Sequence, residues 1–122
     1  MTDIVTFLSA RLDEDEAAAK DVPHDDWIDY DGWAELTNDV KAHAWRHDPA
    51  RVLREVAAKR GLIEYAFKAA AVRDSEYGCT HSPDDIRAGH CPDEKPEELF
   101  ILLTLANLWS EHPEFEPAWR VE

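Results

Sequence analysis

Asp48-Pro49-Ala50-Arg51-Val52-Leu53 opens a stretch that runs to Ala71-Val72-Arg73 without another proline. Asp48 can cap the free backbone N–H groups of a helix start. Pro49 suits the first helical position, where its missing N–H costs nothing. Val52, Leu53, Val56, Ala57, Ile63, Phe67, Ala70 and Ala71 then recur at helical spacing and form one apolar stripe. The spacing predicts one long helix over 49–74, against which the other elements can be placed. Gly61 lies inside it at a cost of about 1 kcal/mol relative to alanine, so it is read as marking close approach by another element.

On the N-terminal side, Thr2 can cap a first helix running to about Asp21, with Ile4, Val5, Leu8 and Leu12 on its buried face. Pro23 ends it. The stretch from His24 to Gly32 is acidic and aromatic, and Asp31-Gly32 is a turn signal between Trp27-Ile28 and Trp33-Ala34. A minor β-hairpin near 27–36 and a loop packed down by Trp27 and Trp33 are both open. Leu36 to Arg46 reads as helical, with Leu36, Val40 and Ala44 on one face and Thr37 or Asn38 as caps for a later start.

On the C-terminal side, Ser82-Pro83 with Asp85 three residues after the serine is a helix start, and Gly89 is a stop. Pro96 or the residue before it opens a last helix that Pro113 stops. Leu99, Leu102, Leu103, Ala106, Leu108 and Trp109 make it apolar on more than one face, so it is expected to be the most buried helix. Phe115, Pro117 and Trp119 should anchor an extended tail. The expected architecture is all-α: one domain over 1–122, a small irregular helical bundle around the long central helix, with a short Cys/His loop-helix-loop.

The chain has 122 residues, 44% of them hydrophobic, which is enough for the modest core of one domain. Its longest apolar run, Leu99 to Leu108, falls well short of the roughly 20 residues of a membrane span. The acidic opening lacks the basic-then-apolar pattern of a secretory signal, so a cytoplasmic location is expected. Two cysteines are too few for a disulfide scaffold, and a reducing compartment would keep them as thiols or metal ligands. The formal net charge is −14, and the basic side chains concentrate in residues 49–73, which carry 6 basic and 2 acidic groups. Internal charge complementarity follows, with Arg51, Arg54, Lys59, Arg60 and Lys68 facing carboxylates of the flanks. Such a balance argues against a nucleic-acid partner.

Cys79, His81, His90 and Cys91 offer four nitrogen or sulfur ligands, the number a structural zinc ion needs, bracketing the short helix after Ser82. Gly78, Gly89 and Pro92 supply the turns. Because the side chains of adjacent His90 and Cys91 tend to diverge, His112, Asp93 or water could replace one of the four. His43 and His47 stand four apart and would share one helical face, a weaker metal signal because Ala44 follows His43 where a metalloprotease has glutamate.

The segment Ala44-Trp45-Arg46-His47-Asp48-Pro49-Ala50-Arg51-Val52-Leu53-Arg54-Glu55-Val56-Ala57-Ala58-Lys59-Arg60 resembles the most recognisable part of a family of small proteins encoded by actinobacteria and their bacteriophages. The opening Asp3-Ile4-Val5 to Leu12-Asp13-Glu14-Asp15-Glu16 and the ending His112-Pro113-Glu114-Phe115 to Trp119-Arg120 are similar to that family's two ends. The stretch from Pro23 to Asp39 lies outside the resemblance. Members often carry cysteines between the long helix and the last one, which favours a metal there. The resemblance implies a lineage and brings no assigned activity.

The leading expectation is a small acidic accessory protein that binds another protein and is held by a structural zinc site. One alternative is a metal-dependent hydrolase using His43, His47 and His112 with acids from Asp13 to Glu16. Another is an acidic mimic of DNA. A binder needs an exposed apolar patch, expected around Trp27, Tyr30 and Trp33.

Overall fold

The computed structural model describes residues 3–21, 35–76 and 78–122. Among them are five α-helices and no strand: α1 (Ile4–Asp21), α2 (Asn38–Arg46), α3 (Pro49–Ser75), α4 (Pro83–Arg87) and α5 (Phe100–Ala106). Three short 3-10 turns, Pro96–Glu98, Asn107–Trp109 and Pro117–Trp119, complete the order. The expected hairpin falls almost wholly at residues outside this description, as do Trp27, Tyr30 and Trp33.

The long helix starts as its sequence dictates. Asp48 accepts a hydrogen bond from the Arg51 backbone N–H at 2.7 Å, and Pro49 takes the first position. Val56, Ile63, Ala66, Phe67 and Ala70 are buried, and α1, α4 and α5 all pack against this helix. The stripe is narrower than its apolar residues suggest. Leu53 is only half-buried and Ala57 is exposed.

Gly61 marks no close approach. A Cβ added there would meet nothing within 4 Å. Its only effect is the backbone freedom it gives the unfolded chain, so Gly61→Ala should stabilise the domain by about 1 kcal/mol. Chemical denaturation should show a higher midpoint at an unchanged slope.

Helix α1 lays Ile4, Phe7, Leu8 and Leu12 into the core. Asp3 is its cap, accepting the Thr6 backbone N–H at 2.8 Å; Thr2 lies outside the described residues. Arg60 of α3 reaches across to Asp13 and Glu16 on α1, and Arg73 reaches Glu94. The expected charge complementarity is therefore realised at Arg60. Arg51 instead pairs along its own helix with Glu55, 3.0 Å away.

Thr37 caps α2, which contributes no buried residue: Leu36 and Ala44 are half-buried and Val40 is exposed. Helix α4 closes its start with a reciprocal pair. The Asp85 N–H donates to Ser82 Oγ and the Ser82 N–H donates to Asp85 Oδ2. Those bonds hold the Asp85 carboxyl below its ordinary value.

The last helix is shorter and less buried than expected. Leu99 adopts an extended backbone, φ −77° and ψ 115°, which separates the Pro96 turn from α5 and leaves its side chain buried. Leu102, Leu105 and Ala106 face the core, but Phe100 and Leu108 are exposed. Asn107 ends the helical run. Its amide donates to the carbonyls of Leu103 and Trp119 at 2.7 Å, and its oxygen accepts the Val121 N–H. The tail is thus tied down, and Phe115 and Trp119 pack edge-on and tilted against Phe7, as the apolar anchors predict.

Candidate metal centre

Two helix endings of one type build the Cys/His knot. At the end of α3, Gly78 takes φ +89°, a left-handed conformation that glycine adopts freely. The Gly78 N–H then bonds the Ser75 carbonyl and the Cys79 N–H bonds the Asp74 carbonyl. This pair of bonds is the Schellman ending, which brings the residue after the glycine over the last turn of the helix. Cys79 therefore sits beside Asp74. At the end of α4, Gly89 takes φ +80°, its N–H bonds the Ile86 carbonyl, and the His90 N–H bonds the Asp85 carbonyl. The same geometry sets His90 beside Asp85, with Nδ1 3.9 Å from Oδ1.

That second ending decides which of the four expected ligands meet. Cys79, His81 and Cys91 come together, their donor atoms all within 4.8 Å of one another. His90 does not join them. Its ring is exposed and drawn to Asp85, while Cys91, next in the chain, turns into the core. Cys79 Sγ lies 3.9 Å from Cys91 Sγ and 2.9 Å from His81 Nδ1, and both cysteines are free thiols. Two sulfurs each bound about 2.3 Å from a tetrahedral zinc ion stand about 3.8 Å apart, so the thiol pair already has a zinc site's spacing. The imidazole would have to draw back from Cys79 by roughly two-thirds of an ångström to take its own corner.

A cleft of about 490 Å³ opens over the knot, lined by Asp74, Gly78, Cys79, Thr80, His81 and Asp93. The Cys79 thiol lies above its ordinary value. The hydrogen bond from the His81 backbone pulls it down, but burial and the neighbouring Cys91 and Asp74 together push it further up. Asp74 and Cys91 both stand close enough to Cys79 to disfavour its thiolate. A cation there would favour the Cys79 thiolate.

The second expected cluster is not assembled. Among the described residues, Cys79, His81 and Cys91 form the one group of three or more ligand-type side chains. His43 and His47 do share a face, with ring centroids 4.6 Å apart. His112 is committed elsewhere. It stands edge-on to Phe7, and its Nδ1 accepts the Glu114 N–H at 3.0 Å and lies 3.2 Å from Arg11 Nη1. Three of the four acids expected to join them are engaged: Arg60 holds Asp13 and Glu16, and Arg11 holds Glu14 at 2.7 Å; Asp15 lines a cleft with His47 but does not complete a cluster of three.

Two residues that matter here carried a signal that hydrophobic periodicity passes over. Arg11 lies between Leu8 and Leu12 on the apolar face of α1, is 5% exposed, and ties the tail to that helix through Glu114 and His112. Asp74 stands seven residues after Phe67, on the buried face of α3, and is 9% exposed. A charge on an apolar stripe is the sign common to both.

A family model described as a family of unknown function (DUF6221) matches residues 1–121. No curated protein and no solved structure matches the chain. No described helix is long and apolar enough to cross a membrane.

Proposed function

Since the chain belongs to DUF6221, a family of unknown function, we propose its role from its own geometry: a small acidic accessory protein that works by binding another protein, its fold pinned by a structural zinc ion on Cys79, His81 and Cys91. The observation that carries the binding role is a second apolar face on α3. Leu62, Tyr65 and Val72 are 45%, 60% and 64% exposed and recur at helical spacing on the side away from Val56, Ile63, Phe67 and Ala70. A single exposed leucine would mean nothing; three large apolar side chains along one face of a helix are what a partner's groove or helix covers. The expected patch around Trp27, Tyr30 and Trp33 lies outside the described residues, so this reading rests on the α3 face alone.

Zinc is the metal because two thiolates and an imidazole are its usual structural donors, and softer than calcium or magnesium accepts. A reducing cytoplasm keeps both thiols available, and an actinobacterial or phage setting accords with the family resemblance. The partner is a protein and not nucleic acid, because the net charge of −14 would repel phosphates and Arg60 is occupied by Asp13 and Glu16.

The test is affinity capture from the native host with the wild-type chain and a Leu62→Glu, Tyr65→Glu, Val72→Glu triple variant. The three side chains are exposed, so the variant should keep its helical content and melt near wild type. The expected result is a protein captured by the wild type and lost by the variant. Identical capture by both would remove the α3 face from the account.

A further inference from the structure

Building on the reading of Cys79, His81 and Cys91 as zinc ligands, we propose that Asp74 is the fourth, which makes the site a closed centre of two thiolates, an imidazole and a carboxylate, and not an open, water-bearing one. The Asp74 side chain is nine-tenths buried, and its Oδ2 has no hydrogen-bond partner. Oδ1 has only a long contact, 3.8 Å, to Arg73 Nε. A buried carboxylate oxygen without a donor is costly, and such groups are paired or bind a metal.

Its position follows from the way α3 ends. The Cys79 N–H bonds the Asp74 carbonyl, so the Schellman ending holds these two residues one above the other. Asp74, Cys79, His81 and Asp93 line one cleft. Asp74 lies outside the tight three-residue cluster, so a rotation of its side chain has to bring Oδ2 onto the ion. Two thiolates and a carboxylate around a divalent zinc leave one negative charge, with the Arg73 guanidinium nearby, shared between Glu94 and a 3.8 Å contact to Asp74 Oδ1. Asp93 lines the cleft as well but is exposed, so its oxygens carry no burial cost that a metal would have to relieve. The ligand set therefore joins the last turn of α3 to both loops that flank α4, and leaves no position for a substrate.

The experiment compares zinc affinity, by competition with a chromophoric chelator under reductant, for the full wild-type chain and for Asp74→Asn, Asp93→Asn and Cys79→Ser variants. Melting of each metal-free protein is recorded beside it. Asp74→Asn should bind zinc about tenfold more weakly or worse, while its metal-free form melts at or above metal-free wild type because the buried carboxylate it removes had no donor at Oδ2. Asp93→Asn should bind zinc like the wild type. Cobalt(II) should give a tetrahedral absorption spectrum in the wild type that changes in Asp74→Asn. Unchanged zinc affinity in Asp74→Asn overturns the assignment, as does a loss confined to Asp93→Asn. A fall in the metal-free melting temperature of Asp74→Asn would show a structural carboxylate and would equally overturn it. If the wild type binds no zinc, or Cys79→Ser binds it as tightly, the Cys/His reading fails as well, which separates the two failures.

Discussion

Phe67→Ala should destabilise the domain by about 3–5 kcal/mol, the cost of removing a large buried ring and leaving a cavity. Phe67 is 1% exposed and belongs to the core cluster that joins α1, α3, α4, α5 and the tail. The Arg87 guanidinium stacks 4.9 Å from its ring, so the change also loosens α4. A domain of this size has a margin of only about 5–15 kcal/mol, and the melting temperature should drop by more than about 10 °C. Leu53→Ala should cost clearly less, because Leu53 is half-buried. Lys68→Ala, at an exposed position on the same helix, should stay within about 0.5 kcal/mol. Melts of the three variants rank the two sides of α3. Equal, small shifts would mean that this helix is not central to the core.

Zinc should have an effect of similar size. An ion that binds only the folded chain adds about 4 kcal/mol when its free concentration exceeds its Kd about a thousandfold. The knot joins the end of α3 to the loop before α5, around a short α4 whose one buried residue is Ile86. Metal-free protein is therefore expected to melt well below zinc-loaded protein, with the lost protection concentrated in 79–91. In a Cys79→Ser, Cys91→Ser double variant the two melts should coincide. A zinc-loaded and a metal-free wild type that melt together would deny the ion a structural role.

The long helix was legible because its signals are local. Asp48, Pro49 and a 3.6-residue apolar period all act within a few residues of where they stand, and the structure places the helix at Pro49–Ser75. The endings at Gly78 and Gly89 were legible for the same reason. The single last helix was not, because its break at Leu99 carries no proline or glycine and comes from the tertiary demand that Leu99 be buried. Gly61 misled in the other direction: a costly residue suggested a tight contact, and the space around it is open.

At the site, the residue types in the sequence named Cys79, His81 and Cys91, and the structure brings those three together. The adjacency of His90 and Cys91 indicated that one of the two would turn away, but not which. The Schellman ending of α4 turns His90 to Asp85. Asp74 went unseen because an acid near a helix end is ordinary, although its place on the apolar stripe seven residues after Phe67 was the sign of its burial.

The central claim is that the knot holds zinc, and elemental analysis of the purified wild-type protein tests it most directly. Expressed in zinc-replete medium and purified under reductant without chelator, the protein should carry about one zinc per chain, absent from the Cys79→Ser, Cys91→Ser variant purified in parallel. Wild-type protein that is folded and carries no zinc under those conditions would contradict the account.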